Sequence, residues 1–308
     1  VTYVADDKRC MVATSRKPGK VGIVTGGGSG HLPLFLGYVG DGMLDGVAVG
    51  GVFQSPSAEQ MYQVTKAIDQ GAGVLYIYGN YTGDIINFDM AAELADLDGI
   101  QVKQVVGNDD VASSVVGEEH KRRGVAGIFF VYKAAGAAAA EGASLDEVTR
   151  LADKARLRTR TMGVALSSCV VPEIGHATFS IGEDEMEIGM GIHGEPGISR
   201  KKLAPADAVV DEMMDRIFAE QDYKSGDEVA VLINGLGGTP LEELYILFRR
   251  VSLLLEERGV KTRHVWIGEF ATSMEMAGAS ISILHLDAEL DRLIGAAGNT
   301  PFFKHIPA

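Results

Sequence analysis

Cysteine is nearly missing from this chain. Cys10 and Cys169 are the only two in 308 residues, and no Cys-x-x-Cys occurs. That spacing argues against a disulfide framework and a thiolate zinc site, and leaves buried free thiols as the expectation. Long apolar runs are missing too: stretches such as Val125-Ala126-Gly127-Ile128-Phe129-Phe130-Val131-Tyr132 fall short of the roughly 18 residues that cross a bilayer. No basic-then-apolar leader opens the sequence. The expectation is a soluble, cytoplasmic protein with no membrane partner, and Val1, which is no initiator, leaves room for a start further upstream. Positive charge is short: 28 Lys and Arg against 42 Asp and Glu leave a net charge of −14, which argues against nucleic acid and anionic membranes as partners. Glycine is abundant. The 39 glycines gather at the ends of apolar runs, where tight turns and close backbone approach are needed. With 46% hydrophobic residues available for a core, the composition points to a small ligand.

Residues 1–20 read as an irregular or edge segment closing at Pro18-Gly19. Val21-Gly22-Ile23-Val24, then Gly26-Gly27-Gly28-Ser29-Gly30-His31, then an apolar run after Pro33, read as strand, glycine turn and helix. Open α/β sheets build ligand sites at such strand ends. Val47-Ala48-Val49 reads as a buried strand. Ser57 with Gln60 makes a capping box for a helix carrying Met61, Val64 and Ile68. Val74–Tyr78 is the next strand, 79–84 a turn, Asn87–Asp96 a helix, Val102–Val106 a strand, and Ile128–Glu141 a helix. Ser144 and Glu147 cap another helix that reaches about Arg158.

The second half changes texture. Thr178–His193 reads as a hairpin, with an acidic tip at 182–184 and Met186, Ile188, Met190 and Ile192 on one face. Asp207–Gln221 and the segment after Pro240 read as amphipathic helices, with strands at Glu228–Ile233, Thr262–Ile267 and Ser280–Leu286. The fold class expected is α/β: two α/β domains, each with a mostly parallel or mixed sheet flanked by helices. The boundary expected near Gly163 gives residues 1–163, with the glycine turn and Asp84, and 164–308, with His193.

The glycine turn could cradle a phosphate through its backbone N–H groups. It has no Walker lysine, no G-x-G-x-x-G spacing and no nucleophile elbow, because His31 stands two residues after Ser29. A plain tight turn with a capping histidine is the structural alternative. Asp84 at a strand's carboxyl end could be a helix cap or a general base. His193 shares its predicted face with Gly189 and Gly191, which would leave space beside the imidazole for work as a nucleophile or base; a purely structural histidine is the alternative. The acidic run 183–187 reads as a solvated tip, since adjacent carboxylates do not converge on a metal.

Several separated motifs then occur in order: Gly26-Gly27-Gly28-Ser29-Gly30-His31, Asn80-Tyr81-Thr82-Gly83-Asp84, Gly191-Ile192-His193-Gly194-Glu195-Pro196-Gly197, Ser225-Gly226-Asp227, and Leu236-Gly237 with Thr239-Pro240-Leu241. Together they resemble the dihydroxyacetone kinase family, specifically its ketose-binding K subunit or domain, over nearly the whole chain. The resemblance implies that His193 adds to the carbonyl carbon of a short ketose as a hemiaminal. It implies that Asp84 and His31 orient and deprotonate the terminal hydroxyl, and that Gly28, Ser29, Gly30 and Gly79 line the substrate. It further implies a homodimer and a phosphoryl donor held elsewhere, on an L-type domain or subunit with magnesium and ATP/ADP or a phosphotransferase-system protein, so that no cofactor or metal belongs to this chain. Leu32 and Gly79 depart from the family pattern, where Glu and, in some members, Lys stand, and the segment that usually precedes the first strand is missing. The loss of a lysine leaves a four-carbon ketose such as erythrulose open beside dihydroxyacetone. A non-catalytic ketose sensor serving transcription is the alternative function, while a serine hydrolase using Ser29, His193 and Asp84 fails on the elbow pattern.

Overall fold

Apolar on both faces, Val74-Leu75-Tyr76-Ile77-Tyr78 has the composition of an interior strand, and it lies inside a six-stranded sheet. In the computed structural model, which describes residues 1–4, 6–15, 17–177 and 179–307, the chain forms two compact units. One comprises Val1–Gly107, Ile128–Leu157 and Glu289–Ala308; the other comprises Asn108–Gly127 and Arg158–Ala288.

In the first unit the strands are β1 (Thr2–Val4), β2 (Asp7–Val12), β3 (Gly22–Ser29), β4 (Gly46–Val52), β5 (Val74–Gly79) and β6 (Val102–Gly107). Their order across the sheet is β1-β2-β4-β3-β5-β6. The four strands β4, β3, β5 and β6 run parallel, while β1 and β2 add an antiparallel edge, in keeping with the edge segment expected at residues 1–20. Helices α1 (Ala58–Ile68) and α2 (Thr82–Leu97) cover one face, where Met61, Val64, Ile68 and Phe88 pack with Val24, Tyr76 and Tyr78. Thr25, the next residue along β3, points the other way and hydrogen-bonds Tyr132 of α3 (Ile128–Ala140), which with α4 (Leu145–Leu157) covers the opposite face.

Helix α3 is buried on nearly every side, including Lys133, which donates to the Ala296 carbonyl and whose ammonium burial pulls down to about 8. The capping box at α1 is complete in both directions. Ser57→Ala is therefore expected to cost about 1 kcal/mol, read as a shift in the urea midpoint at unchanged slope; an unchanged midpoint would show that the box contributes nothing.

In the second unit the sheet order is β11-β10-β12-β7-β8-β9. These strands are β7 (Thr159–Ala165), β8 (Glu185–Ile188), β9 (Ser199–Lys202), β10 (Glu228–Gly235), β11 (Lys261–Gly268) and β12 (Gly278–His285). Only β10 and β11 are parallel. Helices α5 (Ala206–Glu220) and α6 (Leu241–Glu257) lay Val210, Met213, Ile217, Leu244, Val251 and Leu255 on Met162, Val231, Ile233, Ile281 and Ile283. The chain then returns through α7 (Ala288–Ile294) to the first unit.

Three expectations change. Gly26–Ser29 is not a turn: the backbone stays in β3 through Ser29, positive φ arrives only at Gly30 (99°), and the next element is a short 3-10 turn at Leu36–Tyr38 rather than a helix. These glycines serve close packing. A β-carbon on Gly26 would stand 2.7 Å from the Ala48 carbonyl oxygen, one on Gly28 2.6 Å from Phe53 Cα, and one on Gly27 would overlap the Phe35 ring.

The hairpin also differs. Thr178 lies outside the described residues, 179–184 form no strand, and β8 pairs with β7 on one side and β9 on the other. Alternation stops at Ile188 because Gly189 takes φ 81° and turns the chain, so His193 stands on a turn and not at a strand end. Glu187, expected at a solvated tip, is buried; it accepts from Gly197 N at 2.8 Å and pairs with Arg200.

Finally, Gly163 lies within β7, paired with Ser280, so a cut there would divide a strand. Residues 108–127 join the second unit through local bonds: Asp109 accepts from Val125 N and Gly127 N, and Val111 N donates to Thr161 O.

Candidate functional site

In the first unit, parallel strands deliver Ser29-Gly30-His31, Phe53-Gln54-Ser55 and Gly79-Asn80-Tyr81 to the same, carboxyl edge of the sheet. The β4 loop is tied to β3 by Phe53 N donating to Ser29 O at 3.0 Å. It is tied to α2 by Asn87, whose Nδ2 donates to Pro56 O at 2.8 Å and Ser55 Oγ at 3.2 Å. His31 is fully buried, stacked on Phe53 at 4.8 Å between ring centroids and edge-on to Phe35 at 6.1 Å. Both phenylalanines have positive φ, 57° and 38°, a costly backbone state for a bulky residue that concentrates where the surrounding structure fixes a site.

Helix α2 begins at Thr82, earlier than the sequence pattern suggested, because Thr82-Gly83 continue directly into the helical register. Asp84 thus sits in the first helical turn instead of the preceding loop. It is buried, at 8% exposure, and the helix N-terminus is a favourable setting for its carboxylate. Gly28, Ser29, Gly30, His31, Gly79 and Asp84 are all brought to this one sheet edge. Gly27→Ala should force Phe35 off the strand and disturb His31, at about 1–3 kcal/mol of stability; wild-type stability with an unmoved His31 ring resonance would contradict this packing role.

His193 belongs to the second unit, on a turn closed by Gly194 N donating to Gly191 O at 3.1 Å. Glu195 grips it twice: its carboxylate accepts from His193 N at 3.0 Å and from Nδ1 at 2.8 Å. Burial works to raise the Glu195 carboxyl, but the hydrogen bond and electrostatic attraction of His193 and the charge of Arg123 overcome it and hold the group down at about 2. An ionised carboxylate can only accept, so Nδ1 carries the proton and, in the neutral ring, Nε2 carries the lone pair.

Glu195 was visible in the sequence two residues after His193, where a glycine-rich turn can fold a carboxylate back onto the imidazole. The gap expected beside Gly191 is filled: a β-carbon there would overlap Glu195 Oε2 and stand 2.6 Å from Arg123 Nη1. Both cysteines are buried thiols outside any disulfide, and burial pushes the Cys10 thiol up to about 12. Among the described residues no cluster of His, Cys, Asp or Glu could hold a metal ion, and no helix is long and apolar enough to cross a membrane.

With its two α/β sheets, the chain matches a known family. The Dak1 domain model covers residues 1–302, and the chain belongs to that family. It is 50% identical over 306 residues to the dihydroxyacetone-binding subunit DhaK of PTS-dependent dihydroxyacetone kinase 2 from Listeria innocua, covering 99% of this chain and 92% of that protein. It is 44% identical to the D-erythrulose kinase of Mycolicibacterium smegmatis, over 95% of this chain and 50% of that one.

Among solved structures, the dihydroxyacetone kinase of C. freundii superposes with a TM-score of 0.89 at 33% identity, covering 97% of this chain and 54% of that chain; it has also been solved with AMP-PNP and Mg2+. The dihydroxyacetone kinase operon co-activator DhaQ superposes at 0.88 and 32% identity, covering 93% and 89%. The chain spans about half the length of the erythrulose kinase and of the C. freundii kinase.

Proposed function

We propose that this chain is the ketose-binding subunit of a dihydroxyacetone-type kinase, holding a short ketose on His193 as a hemiaminal. The carrying observation is the Glu195 grip on Nδ1, which supports Nε2 as the nucleophile. The Nε2 lone pair bonds to the carbonyl carbon, and the carbonyl π pair moves to oxygen, which takes up a proton from solvent. The Nδ1 proton stays on the ring, where the Glu195 carboxylate balances the charge that N-alkylation places there. Only an aldehyde or ketone can accept this attack, so glycerol and other polyols are refused.

Asp84 acts as general base toward the terminal hydroxyl, with His31 orienting it, while Gly28, Ser29 and Gly30 form one wall against the small substrate and Gly79 leaves room beside it. The phosphoryl donor belongs to an L-type partner, as ATP with magnesium or a phosphotransferase-system protein, and the chain works as a homodimer. Relatives named for dihydroxyacetone and for erythrulose support both ketoses as substrates.

The likeness to a co-activator of similar length supports a second reading, a ketose sensor that never turns over. Phosphorylation assays with L-type partners from both donor classes separate the two. Ketose phosphate formed with either partner supports the kinase. A chain that forms the adduct and stays silent with both is a sensor.

A further inference from the structure

Behind Glu195 lies a second layer of charge that the ketose reading leaves unassigned. Arg123 is a largely buried guanidinium whose Nε and Nη2 both reach Asp110 Oδ2, at 2.8 and 2.7 Å, and whose Nη2 also donates to Gly189 O at 2.9 Å. Asp110 is 3% exposed and is itself held by Ala112 N, which donates to Oδ1 at 3.0 Å. The remaining nitrogen, Nη1, points to the open side of Gly191, against which Glu195 Oε2 also lies. Three hydrogen bonds thus fix the guanidinium so that one arm lies beside the carboxylate that grips His193.

We infer that Arg123, anchored by Asp110, is a positioning residue whose charge, set beside Glu195 at Gly191, offsets that of the carboxylate and so keeps the His193 imidazole available as a nucleophile. The chemical need is specific. A lone carboxylate beside Nδ1 fixes the tautomer but also favours the imidazolium, which has no lone pair to give. A cation on the carboxylate's far side keeps the orientation and weakens the bias. Gly191 is part of the device, because any side chain there would occupy the space shared by Glu195 and Arg123.

The charged groups packed around the turn within this unit are Glu195, Arg123, Asp110 and, behind it, Asp109, with the Glu187–Arg200 pair at the base of the loop. Arg123 is the cation whose field acts on Glu195, which supports the same geometry. The inference deepens the ketose reading and rests on it for the meaning of His193.

The test tracks the His193 ring nitrogens by NMR titration, with the signal assigned by its loss in His193→Ala. His285, bonded to Gln221 in the same unit, reports folding. In Arg123→Gln the His193 midpoint should rise by about half a pH unit or more, the size expected for removing one charge at close range in a partly solvated site, and Arg123→Lys should lie between. Since Arg123→Gln leaves Asp110 buried without its partner, the double variant Asp110→Asn/Arg123→Gln removes the charge without stranding that carboxylate, and the same upward shift is expected. A His193 midpoint unmoved in either folded variant overturns the inference. Failure of the unaltered protein to form a ketose adduct overturns the ketose reading instead, and leaves the titration result standing.

Discussion

Asp84→Asn is expected to leave the ketose adduct in place and to lower phosphoryl transfer by about a hundredfold to ten-thousandfold, the usual range for a positioned general base. The substitution keeps the shape of the first turn of α2 and a hydrogen-bonding group at the buried position, so the sheet edge should remain intact. On the proposed mechanism, what is lost is the acceptor for the hydroxyl proton. On the same proposed mechanism, adduct formation involves the carbonyl carbon alone and depends on the lone pair of His193, so the two measurements are chemically separable. Mass analysis of the adduct beside a coupled phosphorylation assay reads both; equal losses in the two would mean that Asp84 binds substrate rather than moves a proton.

His193→Ala should behave in the opposite order, with the adduct abolished and turnover falling with it. The imidazole occupies a turn and contributes little to the core, being part-exposed at 21% for its side chain, so the fold should survive. Glu195 would then lose its Nδ1 partner while keeping the bond from the backbone N–H of residue 193. Its carboxyl should consequently titrate higher than about 2, because the His193 hydrogen bond and charge help to hold it there against burial. A carboxyl resonance that still titrates near 2 in His193→Ala would contradict that account of the pair.

Much of the fold was legible in the sequence. Apolar runs of strand length marked β4, β5, β6 and β10, the Ser57 capping box marked α1, and spaced apolar residues marked α5 and α6, because each signal is local. The glycine stretch misled for an instructive reason. Dense glycine ordinarily marks a turn, yet here it marks a strand crossed closely by Phe35, Phe53 and Ala48, all brought in from other parts of the chain. Alternation through Ile192 likewise resembled a strand, but Gly189 ended it, and β8 proved to pair with β7 and β9.

The site divides along the same line. His31, Asp84 and His193 were visible as polar residues in glycine-rich settings. Phe53, which stacks on His31, and Arg123, which faces Glu195 across Gly191, stand 22 and 72 residues away from their partners in the chain, and no short-range pattern could join them. Glu195 is the exception. Two residues from His193, it was readable once a turn rather than a strand was assumed.

The most direct test of the central claim is to incubate the protein with dihydroxyacetone and with erythrulose, trap the product, digest it and locate the modified peptide by mass. The account predicts the intact mass of the ketose added, without loss of water, on the peptide bearing His193, and nothing with glycerol. No adduct with either ketose, or an adduct confined to another residue, would contradict it.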